Sequence, residues 1–262
     1  MMTTRLCALL IAALLAGCAS TGNPKDPLEP LNRKVFAFND ALDTYALQPV
    51  AKGYVAATPL PVRSGIGNFF SNLDDVWTGI NNLLQGKVGR AGSDVGRLLI
   101  NSTVGIFGLF DVASELGLEK HDEDLGQTLG VWGVGPGPYL VLPLLGSTTL
   151  RDTANFASTY VDPVPRIERV ATRNTLRAVK LVDTRAQLLN AGRALDEAAI
   201  DKYAFMRDFY LKRRQSQIFD GRPPREEDDE AALPVPFQQT PQRAADLFMA
   251  QPVETAALQT DE

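Results

Sequence analysis

Two cysteines and one histidine in 262 residues leave little material for site chemistry. Cys7 lies inside an apolar N-terminal run and Cys18 follows directly after it, so the rest of the chain has no thiol for a disulfide, a thiolate metal site or a nucleophile. His121 stands alone in the charged segment Glu119-Lys120-His121-Asp122-Glu123-Asp124, which excludes a histidine-rich metal site and reads as a solvated loop. A Gly-x-Ser-x-Gly elbow is also missing; Gly146-Ser147-Thr148-Thr149 is its nearest imitation, and the spacing lends no support to a triad of Ser147, Asp152 and His121. Turns and caps explain Ser147 and Asp152 more simply. An enzyme is therefore not expected, nor a cofactor, nor a metal. No internal apolar run approaches the ~20 residues that a membrane-crossing helix needs. A basic excess is absent as well: residues 1–17 carry +1 and residues 221–262 carry three arginines against nine acids, so at a total of −5 residues 18–220 are neutral. Nucleic acid is not an expected partner. A neutral body raises no long-range repulsion toward anionic lipid headgroups.

What the chain does have begins with a lipid-anchor signature. Arg5 supplies a basic n-region, residues 6–16 an apolar stretch too short to span, and Leu15-Ala16-Gly17-Cys18 has the form of a bacterial lipoprotein cleavage site. The mature chain is expected to begin at Cys18, acylated on its thiol and on its new amino group. At ~0.8 kcal/mol per buried methylene, several acyl chains hold a protein in a membrane essentially permanently. Ala19 rather than an aspartate follows, so the usual inner-membrane retention signal is absent and the expected address is the outer membrane, facing the periplasm. The alternative is an ordinary secretory signal with a chance cysteine.

Four segments follow from composition: a signal peptide at 1–17, a lipidated tether at 18–25, a helical domain at 26–220 and an acidic, proline-rich disordered tail at 221–262. Asp26-Pro27-Leu28-Glu29 reads as a helix start with Asp26 as its cap, and Leu31, Val35, Phe38, Leu42 and Tyr45 form a stripe that should stop before Pro49. After Pro59-Leu60-Pro61 the apolar residues from Ile66 to Leu84 keep helical register, while Asn68, Ser71, Asn72, Asn81 and Asn82 give an uncharged amide-rich face. A core helix whose polar residues pack on neighbours explains that face; so does a helix whose amides meet something other than water. Residues 98–110 form the most apolar internal run, a buried or interfacial helix. From 125 to 150 the glycines break any helix and Tyr139-Leu140-Val141-Leu142 suits a strand, giving a glycine-rich hairpin or loop. Gly133-Val134-Gly135-Pro136-Gly137 lacks the following helix and Lys-Ser/Thr of a phosphate cradle. A mobile loop at Gly133, Gly135 and Gly137 is expected instead; if it gates function, changing Gly133 and Gly135 to Val abolishes function without unfolding the protein. A helix starting at Asp162 brings Arg166, Arg169, Arg173, Arg177 and Lys180 into an arc of roughly 80° at ~100° per residue. That basic stripe is either a contact for phospholipid phosphates or an acidic partner, or a solvated face paired with acids. A last helix is expected from about Asp196 to Phe219.

The blocks Asp26-Pro27-Leu28-Glu29-Pro30-Leu31-Asn32-Arg33, Gln48-Pro49-Val50-Ala51, Asn68-Phe69 with Asn72-Leu73, Leu84-Gln85-Gly86, and Asn101-Ser102-Thr103-Val104-Gly105 with Asp111-Val112-Ala113 resemble the MlaA/VacJ outer-membrane lipoproteins. So, above all, does the stretch from Leu125-Gly126-Gln127-Thr128-Leu129-Gly130 to Leu150-Arg151-Asp152, and later Thr184-Arg185-Ala186-Gln187-Leu188-Leu189. The resemblance covers about Asp26 to Tyr210. It implies a mainly α fold: a ring-like, single-domain bundle of amphipathic and interfacial helices with the glycine-rich hairpin, enclosing an amphipathic channel. It implies removal of mislocalised phospholipid from the outer leaflet and its passage to a soluble periplasmic carrier that feeds an inner-membrane ABC transporter, in association with a trimeric porin. Asn32, Phe38, Asn68 and Asn72 are then expected to wall the lipid path, and Arg151 with Asp152 to form a structural pair. A non-catalytic lipoprotein that tethers envelope components is the alternative function.

Overall fold

The computed structural model describes residues 23–160 and 162–224. The signal peptide, Cys18 and nearly all of the tail lie outside the described residues. The elements below belong to one compact unit that ends at Pro223.

Helix α1 (Glu29–Leu42) begins as its proline allows, with Pro30 in the first turn, where a missing N–H is not needed. Asp26 does not cap it. Asp26 is buried and accepts instead from Asn32 Nδ2 (2.8 Å), the Tyr203 hydroxyl and Arg207, because the C-terminal helix lays the last two across it. Nor does the helix stop before Pro49. Residues Asp43–Leu47 widen into a π-helical turn in which Gln48 N–H donates to Asp43 O, and α2 (Gln48–Ala57) continues from there. The wider turn lets Pro49 sit at the start of a new helix, where its lost donor leaves no gap in the ladder.

Helix α3 (Leu60–Leu84) follows the expected register, and Gly86, with φ +76°, turns the chain into α4 (Val88–Thr103), which packs back along it. The helix expected through residue 110 ends at Thr103. Ile106, Phe107 and Gly108 all take left-handed backbone (φ 52°, 57° and 84°), and the chain folds back so tightly that a Cβ on Gly105 would lie 2.2 Å from Phe110 O. Short helices α5 (Val112–Glu115) and α6 (Leu125–Val131) are capped by the side chains of Asp111 and Asp124. The glycines of α6 therefore do not break it. They stand where the last helix comes close: a Cβ on Gly126 would meet Arg214 Nη2 at 2.6 Å.

Strands β1 (Tyr139–Leu142) and β2 (Gly146–Thr149) form the expected hairpin, with Tyr139 opposite Thr149. Two 3₁₀ segments, Asp152–Tyr160 and Val164–Arg166, lead to α7 (Val170–Gln187), α8 (Leu189–Ala198) and α9 (Lys202–Ile218). The single helix expected over 196–219 is broken before Asp201, which caps α9 by accepting from Ala204 N–H. The result is a mainly α-helical bundle with a short β-hairpin. Its apolar core is small: Tyr139, Val141 and Tyr203, flanked by Val35, Phe36, Tyr210 and Leu211, where the hairpin meets α1 and α9. Phe36 and Tyr139 both meet Tyr203 edge-on, at 5.6 and 6.3 Å between ring centres.

Candidate functional site

The body is polar inside and apolar outside. On α3 the amide-rich face turns inward: Asn72, Asp75, Thr78, Asn81 and Asn82 are buried, while Leu60, Val62, Leu83 and Leu84 are exposed. Buried amides and acids persist only when hydrogen-bonded, and here most are. Asn82 donates to Asp94 (2.7 Å), Asn72 to Ser102 (2.9 Å), and the Thr128 hydroxyl to Asn81 (2.8 Å). Arg97, 1% exposed, forks onto both oxygens of Asp111 at 3.0 Å and also donates to Leu118 O at 2.6 Å. Burial pushes the Asp111 carboxyl up, but bonds from Ser114, Asn101 and Arg97 outweigh it and bring the group down to about 2. For Asp75, burial wins over Lys120 and Arg97, and its carboxyl is raised.

The charged segment 119–124 is only in part a solvated loop: Glu119, Lys120 and Asp122 are exposed, but several of its side chains are tied to the body. Lys120 binds Asp75, His121 Nδ1 lies 2.8 Å from Asp94, Glu123 accepts from Lys87 (2.9 Å), and Asp124 caps α6. Ser147 meets the Tyr139 hydroxyl instead of His121, and Asp152 binds Arg214 and Tyr210, so no triad forms. Arg151 and Asp152 do pair, at 3.1 Å.

Between α3 and α7 lie two cavities, of about 350 and 200 Å³, that share Gly67, Ser71, Asp183 and Gln187 in their walls. Gly67 permits this approach, since a Cβ there would come within 3.1 Å of Gln187 Nε2. Asp183 is 3% exposed and accepts from the Tyr54 hydroxyl and from Gln187, each at 2.8 Å. Burial and this carboxylate push the Tyr54 hydroxyl up to about 12. Arg63, half-buried in the wall of the larger cavity, donates Nε to Thr58 O at 3.1 Å.

The residues expected along a lipid path are separated by the structure. Asn68 lines the larger cavity and donates to Leu109 O; Asn72, one turn on, faces α4. Phe38 is an exposed ring on α1. Asn32 is buried at 1%, and its amide both donates to Tyr139 O and accepts from Val141 N–H. Asn39, further along α1, repeats this with Leu142 O and Leu144 N–H, so two asparagines of a helix close the edge of the hairpin as a strand would. Gly133 (φ +91°) and Gly137 (φ +66°) need left-handed backbone, whereas Gly135 has open space around it. Valine is thus expected to strain position 133 by ~1–3 kcal/mol and to be tolerated at 135, which the melting temperatures of the two single variants would distinguish. The basic stripe is divided, because extended backbone at Ile167 and Arg169 interrupts the helical phase: Arg166 lies in a 3₁₀ turn, Arg169 precedes α7, and only Arg173, Arg177 and Lys180 share that helix. Lys180 is paired with Asp74 at 2.8 Å. Gly67, Arg63 and Asp183 were not singled out by sequence reasoning, and Gln187 was named only within the block 184–189; Gly67, one of three glycines in α3, was the available signal of a close approach.

Among the described residues no helix is long and apolar enough to cross a membrane, and no group of His, Cys, Asp and Glu could hold a metal ion. A helical body with a hydrogen-bonded polar interior, a cleft, and apolar side chains turned outward defines a class of protein built to sit against lipid. The chain belongs to the MlaA lipoprotein family, whose description matches residues 24–217. The intermembrane phospholipid transport system lipoprotein MlaA of Haemophilus influenzae is 34% identical over 231 residues, covering 84% of this chain and 92% of that one. An uncharacterized protein of Rickettsia bellii is 36% identical over 195 residues, 74% and 76% of the two chains; the stretch matched in a Rickettsia felis protein spans about half of that relative, 51%. A solved structure described as the structural basis for maintenance of bacterial outer membrane lipid asymmetry superimposes with a TM-score of 0.65 at 37% identity, covering 74% of this chain and 98% of its own.

Proposed function

We propose that this protein is a non-catalytic outer-membrane lipoprotein of retrograde phospholipid transport, which removes phospholipids from the outer leaflet and so maintains lipid asymmetry. The observation that carries this reading is the inverted body. Apolar side chains such as Val104, Phe107, Leu144 and Leu145 stand at 66–77% exposure over an interior of amides and charges. In water that arrangement forfeits hydrophobic stabilisation; against acyl chains it recovers it. The α3–α7 cleft is our assignment for the passage of the polar headgroup, with Asn68 in its wall. Transit needs no reacting group: direction comes from the lower free energy of phospholipid in the inner leaflet or carrier, and the protein lowers only the barrier.

The finer partners belong to the same proposal. They are a trimeric porin alongside and a soluble periplasmic carrier feeding an inner-membrane ABC transporter. In this reading the chain comprises a signal at 1–17, acylated Cys18 with a tether at 18–25, a domain at 26–220 and a tail at 221–262. The Gly133–Gly137 loop is placed as an adjustable element beside the hairpin, and the cations of α7 as a face toward acids or phosphates. In cells lacking the gene, labelling of phosphatidylethanolamine by a membrane-impermeant amine reagent is expected to rise and to be restored by the normal chain but not by Cys18→Ala. Unchanged labelling in an otherwise intact envelope would put the structural tether first.

A further inference from the structure

The buried acids differ in one respect. Asp26, Asp75, Glu123 and Asp152 each have an arginine or lysine within 4 Å, and Asp94 has His121. Asp183, 3% exposed, is held by neutral donors only among the described residues, Tyr54 and Gln187, and it lines both cavities of the cleft. A buried carboxylate without a cation is costly unless something else supplies the charge. Arg63 is its complement: a guanidinium in the wall of the same cavity that gives Nε to a backbone carbonyl and has no carboxylate partner among the described residues. One cavity is thus flanked by an anion and a cation that are not paired with each other, and the rest of its wall combines hydroxyls, amides and Gly67 with the apolar Leu60 and Ala186. A ligand that fits carries both charges on a short arm.

We propose that the cleft recognises the headgroup of an aminophospholipid as a zwitterion, with its phosphate on Arg63 and its ammonium on Asp183, so that it selects phosphatidylethanolamine-type lipids over purely anionic ones. The proposal rests on the phospholipid reading above. Arg63 presents a planar fork suited to phosphate oxygens, and Asp183 is already oriented by two donors, leaving its remaining lone pairs for an ammonium. An anionic headgroup without an amine would satisfy Arg63 but leave Asp183 facing negative charge.

The test is calorimetric titration of the full-length acylated protein in non-ionic detergent with dihexanoyl phosphatidylethanolamine, dihexanoyl phosphatidylglycerol and free glycerophosphoethanolamine. The ethanolamine lipid is expected to bind about tenfold more tightly than the glycerol lipid, the value of one charge-assisted bond. Arg63→Gln should weaken both lipids about tenfold. Asp183→Asn should erase the preference without weakening the glycerol lipid. Gln187→Lys sets an ammonium beside the retained carboxylate and should erase it too, so the result does not depend on Asp183→Asn folding. Equal affinity of the unaltered protein for both lipids, a preference that survives Gln187→Lys, or glycerophosphoethanolamine binding as tightly as the lipid would each overturn the proposal. If neither lipid bound, the phospholipid reading of the cleft would itself fail, an outcome distinct from loss of selectivity.

Discussion

Arg214→Met is expected to lower stability by about 3–5 kcal/mol, against a total of ~5–15 kcal/mol for a typical domain. Arg214 is 8% exposed at its side chain and holds two acids at once: Nη1 and Nη2 reach Asp124 at 2.6 and 2.8 Å, and Nε and Nη2 reach Asp152 at 3.0 and 2.9 Å. It thereby ties α9 to the start of α6 and to the 3₁₀ segment after the hairpin. Methionine fills similar volume but strands Asp152, 3% exposed, with Arg151 and the Tyr210 hydroxyl alone. Arg213→Met is the control: its contact with Asp122 is 3.9 Å between side chains 58% and 78% exposed, and its loss should change stability by less than ~0.5 kcal/mol. Thermal unfolding in detergent compares the two. The pH dependence has a definite sign. Burial works to raise the Asp152 carboxyl, but Arg214, Tyr210 and Arg151 together hold it below its ordinary range. A depressed carboxylate stabilises the fold fully above its unfolded pKa of ~3.9 and loses that contribution as pH falls through the lower folded value. Arg214→Met should diminish this acid-sensitive part of the stability.

The second large effect is expected at the surface. Val104, Ile106, Phe107 and Phe110 are 54–77% exposed, and Ile106 and Phe107 hold left-handed backbone that β-branched and aromatic residues avoid. Hydrogen bonds such as Gly108 N–H to Asn101 O at 2.7 Å keep the segment so folded, with its apolar side chains outward. Such a segment suits insertion among acyl chains. Trp132 adds an interfacial ring, 57% exposed and donating its indole N–H to Leu84 O. Replacing Ile106 and Phe107 by Asn removes two apolar side chains and suits the local backbone, so the fold should be unharmed. At ~1.5–3 kcal/mol per buried side chain, and so ~3–6 kcal/mol for the two, binding of the unacylated Cys18→Ala protein to phospholipid vesicles should fall at least about 100-fold. Flotation of the two forms with vesicles measures it; equal flotation would mean that this segment does not face lipid.

Helix α3 was legible from its strong periodicity and the hairpin from its glycines and strand-forming residues, but the continuation of helix past Pro49 was not, because a π-turn leaves no mark in an apolar stripe. Periodicity also shows that a helix has two faces without saying which one meets solvent. On α3 that left Asn72, Asn81 and Asn82 ambiguous until α4 was seen to bond the first and last and α6 the second. The cleft was hidden for a different reason. Arg63 and Asp183 are unremarkable on their own helices, and only the packing of α7 on α3 makes them opposite walls of one cavity. The basic stripe failed because its arc assumed unbroken helical phase through Ile167 and Arg169. Asn32 was expected in the wall of the lipid path and is instead buried against the hairpin, because a helix side chain completing a strand edge has no short sequence signature.

Passage of headgroups between α3 and α7 is the step on which the proposed transport depends. Ser71 lines both cavities there, and a mature chain acylated at Cys18 has no other thiol, so Ser71→Cys can be modified alone. The decisive measurement is outer-leaflet phosphatidylethanolamine labelling in cells carrying only Ser71→Cys, before and after treatment with N-ethylmaleimide, beside the unaltered chain treated alike. Labelling should be low before treatment and rise afterwards to the level of cells lacking the gene, with the unaltered chain unaffected. Labelling that stays low with the adduct in place would contradict passage through this cleft.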